Sequence, residues 1–325
     1  MSLKGLSTAE IYERAIAGER RALGRLLTHV ERGGDEADVI TELAHPASGS
    51  AHVVGITGAP GAGKSTLTGQ LTRLLPELGI RPSVLAVDPS SPLTGGAILG
   101  DRIRMDDLAG ESAFIRSMAT RGHSGGLALA VPGAVRVFDA AGFDPVIIET
   151  VGVGQVEVDV AGAADTTVVV VTPGWGDAVQ ANKAGLLEVA DVFVVNKADR
   201  PGANDARRDL ELMLDLSHVT GQEHDSGYRP PIIMSSALDG TGASDVWEAI
   251  EAHRLHLETT GLLSERRDGR LRLEVSNRVE QLMASRAQLA LEAPEGSDLL
   301  ARASRRELSP AQAARTLTAK ILGAP

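Results

Sequence analysis

From His52 onward the chain settles into a repeating pattern. Short apolar runs rich in β-branched residues, bounded by polar turns, alternate with stretches long enough for a helix. The runs fall at 53–57, 82–87, 146–149, 167–172, 192–195 and 232–235. Each is apolar nearly throughout rather than alternating, as befits a strand covered on both faces, and the intervening lengths suit crossover helices. The pattern predicts an α/β fold on a doubly wound, mostly parallel sheet of six strands. Helices flank it on both sides in sequence. Over 6–45, Ser7 and Glu10 have capping-box spacing, Ile11, Ala15, Leu23, Leu26 and Leu27 recur at helical intervals, and Gly33-Gly34 interrupts them. Residues 261–270 are charged and glycine-punctuated and read as a linker. Residues 270–322 read as helices broken near 294–296 and at Ser309-Pro310. The expected organisation is an N-terminal helical arm over 1–48, a central domain over 49–258 and a C-terminal helical arm over 259–325.

Composition narrows what such a chain can do. Its 325 residues correspond to about two average domains, and 43% hydrophobic with 23% charged residues is an ordinary globular balance. The formal net charge of −11 argues against a broad basic surface, so nucleic acid is not an expected partner. Cysteine is absent, which excludes disulfides, thiolate nucleophiles and Cys-ligated zinc or iron–sulfur centres and fits a reducing cytoplasm. No run approaches a membrane span and the start lacks a secretion signal's layout, so no membrane association is expected. Only five of the 32 basic residues are Lys, at 4, 64, 183, 197 and 320. Two of these five stand in motifs.

The first motif is Gly58-Ala59-Pro60-Gly61-Ala62-Gly63-Lys64-Ser65-Thr66, between the 53–57 run and a helix from about Lys64. It matches G-x-x-x-x-G-K-[ST] in the strand–loop–helix setting that the P-loop requires. Glycines let the backbone wrap phosphate oxygens, so that amide groups and the helix N-terminus face the anion. Lys64 is expected to bridge the β- and γ-phosphates, and Ser65 to ligate Mg²⁺.

The second is Asn196-Lys197-Ala198-Asp199, directly after the 192–195 run. Guanine offers N1–H and the N2 amino group side by side, and one carboxylate accepts from both. Adenine would set a lone pair against it. Asp199 fits that role, which favours GTP over ATP. Asn196 is expected to hold the loop beside the purine, the Lys197 stem to lie along the ring, and the Ser236-Ala237 backbone to donate to guanine O6. For the metal side, Glu149 ends the 146–149 run and begins Glu149-Thr150-Val151-Gly152, which has the look of D-x-x-G with Glu for Asp. Glu149 would orient Mg²⁺ or its water, and Gly152 would offer its N–H to the γ-phosphate. Asp88 and Asp101 are the other acids in reach of the metal.

Together with Ala86-Val87-Asp88-Pro89-Ser90-Ser91-Pro92, Ile98-Leu99-Gly100-Asp101-Arg102, Ser117-Met118-Ala119-Thr120-Arg121-Gly122-His123 and Glu149-Thr150-Val151-Gly152-Val153-Gly154-Gln155, these motifs resemble MeaB-type GTPases. The resemblance covers about residues 50–260. It implies a homodimeric GTPase that serves an adenosylcobalamin-dependent methylmalonyl-CoA mutase, gates its cofactor and protects it. It also implies that the C-terminal helices form the dimer contact and that 173–188, with Gln180 and Lys183, couples nucleotide state to the mutase. Asp101 and Glu149 carry the metal-side roles in this likeness. Three other readings stay open: a P-loop kinase linked to amino-acid transport, a nickel-insertion GTPase, and a GTP-binding scaffold without turnover. No acceptor-hydroxyl pocket marks the first, and no Cys/His ligand set marks the second.

Overall fold

The structure, a computed structural model, describes residues 3, 5–88, 113–119, 126–150, 162–174, 189–220 and 227–323. Seven strands form its sheet: β1 (Val53–Thr57), β2 (Ser83–Asp88), β3 (Phe114–Ala119), β4 (Val146–Thr150), β5 (Thr166–Val171), β6 (Val192–Asn196) and β7 (Ile232–Ser235). Their order is β3-β2-β4-β1-β5-β6-β7, and every neighbouring pair is parallel. The six expected strands are present. The seventh, β3, lies at the edge beside β2, where Arg116 and Ser117 interrupt what would otherwise read as an apolar run.

Alternate residues of the central strands feed opposite layers, as the strand period of two requires. Val53, Val146 and Ile148 join one core, whereas Val54, Ile56 and Ile147 join another. The second is covered by Leu67, Leu71 and Leu75 of α4 (Lys64–Glu77) and by Val246, Trp247 and Ile250 of α7 (Ala243–Thr260). The first is covered by α5 (Gly126–Ala140) and by the N-terminal helices α1 (Thr8–Ile16), α2 (Arg20–Arg32) and α3 (Asp35–Ala44). The Ser7–Glu10 capping box forms as its spacing predicts. Ile11, Leu23, Leu26, Leu27 and Ile40 are buried, so these helices share a core with the sheet and lie in one compact unit with it, Met1–Arg270. Helix α6 (Ala203–Thr220) closes the same face further along, over Val169, Val171 and Phe193.

At the N-terminal ends of the strands the unit carries acids that accept backbone amides. Asp139 accepts the amides of Gly49, Ser50 and Ala51, Asp144 that of His52, and Asp165 that of Val53. Asp165 is fully buried, and Asp191 nearly so. Helix α8 (Leu262–Glu292) meets them with three arginines. Arg266 holds Asp191 at 2.9 Å, Arg267 holds Asp165 at 2.8 Å, and Arg270 also pairs with Asp165. Burial raises the Asp165 pKa, but the hydrogen bonds from Arg267 and the charges of Arg270 and Arg267 outweigh it and hold the carboxyl far below the usual range. Residues 262–270 of the expected 261–270 linker are therefore helix. Gly261, at φ +80°, ends α7, and the charges that suggest solvation instead meet the strand-start acids.

The second unit, Leu271–Pro325, comprises the rest of α8 with α9 (Pro294–Ser304) and α10 (Pro310–Ile321). Pro294 opens α9, and Ser309 with Gln312 forms a capping box for α10. No residue of α8 is buried, and Leu273, Val275, Val279, Leu282 and Leu289 are all exposed along it.

Between the acids lies a neutral chain: His52 Nε2 to Thr166 Oγ1 at 2.8 Å, and Thr166 Oγ1 to His253 Nδ1 at 2.8 Å. Burial lowers the pKa of both imidazoles to about 4, against the raising pull of Asp165 on His52 and of Asp191 on His253. In the unfolded chain both return toward 6.5. Between pH 4 and 6.5 the unfolded state therefore binds more protons, and stability rises with pH through that window. Urea titrations at pH 5 and pH 7 should show that the His52→Gln/His253→Gln double variant loses a pH slope of about 2 kcal/mol per unit relative to the parent. Equal slopes would contradict this account.

Candidate functional site

The loop from β1 to α4 is shaped by backbone that side chains would obstruct. Gly58 sits at φ +135°, and a Cβ there would lie 2.1 Å from the Val170 carbonyl oxygen. Gly63 sits at φ +93°, with the Asn196 Nδ2 atom 2.2 Å from where its Cβ would be. Gly61, at φ +73°, faces open space. Ala62 is buried and Ala59 half-buried, while Pro60, Gly61 and Thr66 are exposed at the mouth. Lys64 opens α4 and is buried, its ammonium donating to the carbonyls of Gly58 at 2.6 Å and Ala59 at 3.3 Å. The cation is thus held inside the loop, at the N-terminus of α4.

Beside it, the Ser65 hydroxyl donates to Glu149 Oε1. Glu149 is fully buried near the C-terminal end of β4, next to β1 in the sheet. A hydroxyl and a carboxylate side by side form an all-oxygen donor pair, which suits a hard cation such as Mg²⁺. Asp88 closes β2 in register with Ala119, its side chain outside the described residues. Asp101, Gly152, Gln180 and Lys183 also lie outside them.

Asn196 ends β6 with its side chain buried, and it ties three loops together. Its Nδ2 donates to the Ala62 carbonyl at 2.7 Å, and its Oδ1 accepts from the Ala237 amide at 3.0 Å. Lys197, at φ +59°, reaches back to donate to the Gly61 carbonyl at 2.7 Å. The second motif is thereby fastened to the first by two side-chain bonds spanning about 135 residues of sequence. Asp199 is exposed in the turn that follows. Beyond β7, the Ser236 amide donates to the Thr241 carbonyl at 3.0 Å. The two amides expected to face guanine O6, those of Ser236 and Ala237, are thus engaged within the protein.

One side chain at this site has no sequence signal. Gln70, on α4, donates from Nε2 to the Ala237 carbonyl at 3.0 Å. A half-buried Gln within a helix carries no local mark of a contact 167 residues away. The arginine–aspartate cluster at the other end of the sheet is equally silent in sequence, because its partners come together only in the fold.

A parallel sheet with a glycine loop opening into α4, and an N-K-x-D turn fastened to that loop, defines a P-loop GTPase. The comparisons agree. Residues 23–292 match the family described as methylmalonyl-CoA mutase-associated GTPase MeaB, and the chain belongs to that family. A Pyrococcus horikoshii relative is 45% identical over 315 residues, 97% of this chain and 98% of its own. The GTPase ArgK of Escherichia coli is 39% identical over 262 residues, 79% of each chain. A fused isobutyryl-CoA mutase of Cupriavidus metallidurans is 41% identical over 199 residues, covering 60% of this chain and 18% of that much longer one. Among solved structures, an LAO/AO transport system kinase superposes with a TM-score of 0.71 at 26% identity, over 99% of this chain and 100% of that one. Among the described residues no helix is long and apolar enough to cross a membrane.

The loop glycines can be ranked by what surrounds them. Gly58→Ala and Gly63→Ala should each cost about 2 kcal/mol or more and abolish nucleotide binding, whereas Gly61→Ala should cost only about 1 kcal/mol from its positive φ. Thermal melts with and without GDP check the order, and an equal penalty at all three positions would refute it.

Proposed function

We propose that this GTPase holds one GTP across the two fastened loops, hydrolyses it with Mg²⁺, and serves as a chaperone of an adenosylcobalamin-dependent mutase of the methylmalonyl-CoA mutase class. The observation that carries the nucleotide reading is the pair of bonds from Asn196 and Lys197 to the Ala62 and Gly61 carbonyls. They set the base-reading turn and the phosphate loop at a fixed separation, as a single ligand with a guanine end and a triphosphate end requires.

The 58–66 loop cradles the triphosphate through its backbone amides, Pro60 excepted, and Lys64 turns its ammonium from the loop carbonyls to the β- and γ-phosphates. Ser65 and Glu149 hold Mg²⁺, with Asp101 contributing from the metal side. When bound, Mg²⁺ supplies charge neutralisation on the phosphate oxygens. Gly152 offers its N–H to the γ-phosphate, and Asp88 stands as a further acid at the end of β2. Asp199 accepts the guanine N1–H and N2 amino protons, and Asn196 steadies the turn at the purine edge. Since the amides of Ser236 and Ala237 are already bonded, the next amide, that of Leu238, is the one we assign to guanine O6. Catalysis then rests on positioning an in-line water attack and stabilising charge.

The partner reading is supported by the family's mutase association and by the relative fused to isobutyryl-CoA mutase. The same protein is proposed to be a homodimer, with the unburied apolar residues of α8 at its contact, and to use 173–188 in gating cofactor delivery.

Lys64→Ala should reduce GTP hydrolysis by about 100-fold or more with an unchanged circular dichroism spectrum, since it removes the cation assigned to the β- and γ-phosphates. Retained turnover would refute its role. Asp199→Asn should shift preference from GTP toward xanthosine triphosphate, because the amide donates where the carboxylate accepted. Unchanged selectivity sinks the base assignment. For the partner, purified mutase should raise GTP turnover by about tenfold by favouring one arrangement of the nucleotide loops, and the two should co-elute with a non-hydrolysable GTP analogue. Separate elution together with unaltered turnover counts against the chaperone reading.

A further inference from the structure

The turn after β7 projects from the sheet, with Leu238 at its tip 88% exposed. Much of its bonding is internal. Ser236 and Thr241 form an antiparallel bridge, the amides of Asp239 and Gly240 donate to the Ser236 carbonyl, and Asp239 Oδ1 accepts from the Thr241 amide. Such bonds fix the turn's shape and say nothing about where it sits. Its position beyond the end of the strand is set at Ala237. There the amide donates to Asn196 Oδ1 at 3.0 Å, and the carbonyl accepts from Gln70 Nε2 at 3.0 Å. Both polar groups of one backbone unit are therefore held by side chains, one from β6 and one from α4.

The Gln70 carboxamide also packs beneath the turn, since a Cβ at Gly240 would lie 3.4 Å from its Oε1. Gln70 stands six residues after Lys64 on the same helix. The turn is accordingly tied to the helix whose first residue serves the phosphates, independently of Asn196, which ties it to the loop itself. We infer that Gln70 is a positioning residue for guanine recognition, holding the Ala237–Leu238 peptide where its next amide meets O6. This rests on the reading that the 236–238 turn contacts guanine. Without the Gln70 bond the turn keeps its shape and its bonds to Asn196 and to the Ser235 hydroxyl, which donates to the Thr241 carbonyl at 3.1 Å, but the Ala237–Leu238 peptide loses its tie to α4, so the contact to O6 weakens while the phosphate contacts do not.

The residue type follows from the contact. A carbonyl needs a donor, so an ionised Glu at this position would repel it, a Leu would fill the space silently, and a Lys could still donate. Adenine carries an amino group where guanine has O6, so ADP gains nothing from a well-placed amide and reports the phosphate contacts alone.

The test is competition of GDP and ADP against a fluorescent GDP analogue on the full-length protein with Mg²⁺. Gln70→Leu should weaken GDP by about five- to tenfold, the worth of one neutral hydrogen bond, and leave ADP within about twofold. Gln70→Lys should restore most of the GDP affinity. If the Leu variant does not fold, Gln70→Asn, one methylene too short for the carbonyl, should show the same selective loss. Equal weakening of GDP and ADP would mean a merely structural contact and would overturn the inference, as would a GDP preference that survives the loss of the donor. A parent protein that binds GDP and ADP equally overturns the guanine reading itself, and this inference with it.

Discussion

The carboxamide of Asn196 is the point on which the site's geometry depends. Buried at the end of β6, it gives its Nδ2 proton to the loop after β1 and takes the amide proton of the loop after β7. A carboxamide offers a donor and an acceptor a short fixed distance apart, so it sets the spacing of two backbone segments in a way that a hydroxyl or carboxylate could not. It also touches one of the two places in the phosphate loop where only glycine fits, because any Cβ on Gly63 would collide with Nδ2. The glycine that frees the loop backbone and the asparagine of the base motif are thus two sides of one contact. The short spacing at each motif and the long separation between them are satisfied together.

Much of this was readable in advance. Continuous apolar runs gave six strands to within a residue or two at each end, because strands buried on both faces have no polar positions to confuse the pattern. The edge strand β3 escaped notice for the converse reason: Arg116 lies within it and bonds Glu31 and Thr28 of α2, so its polarity belongs to a tertiary contact. Residues 58–66 and 196–199 were legible because phosphate and guanine chemistry fixes residue types at fixed intervals. The pairing of Ser65 with Glu149 followed from the parallel register of β1 and β4, which places both loops at the same end of the sheet.

What could not be read were contacts between residues that are individually ordinary. Gln70 is one helical glutamine among others, and its carbonyl partner belongs to an alanine. The charges at 265–270 look like a solvated linker because sequence shows only that they are charged. Their role becomes visible when Asp165 and Asp191 are found buried and facing them. The same holds for His52 and His253, which look unremarkable until both rings share the hydroxyl of Thr166.

The arginine cluster also bears on the order in which the molecule can assemble. Arg267 reaches Asp165 across 102 residues, and Arg266 reaches Asp191 across 75. A carboxylate cannot be withdrawn from water at modest expense until its cation is at hand. On the ribosome the aspartates emerge well before the arginines. The strands they precede therefore cannot dehydrate their lower ends until α8 has been synthesised. A nascent chain stopped ahead of residue 266 would keep an open, hydrated base beneath an otherwise complete nucleotide cradle, so completion of the globule is coupled to arrival of the helix that leads onward into the second unit.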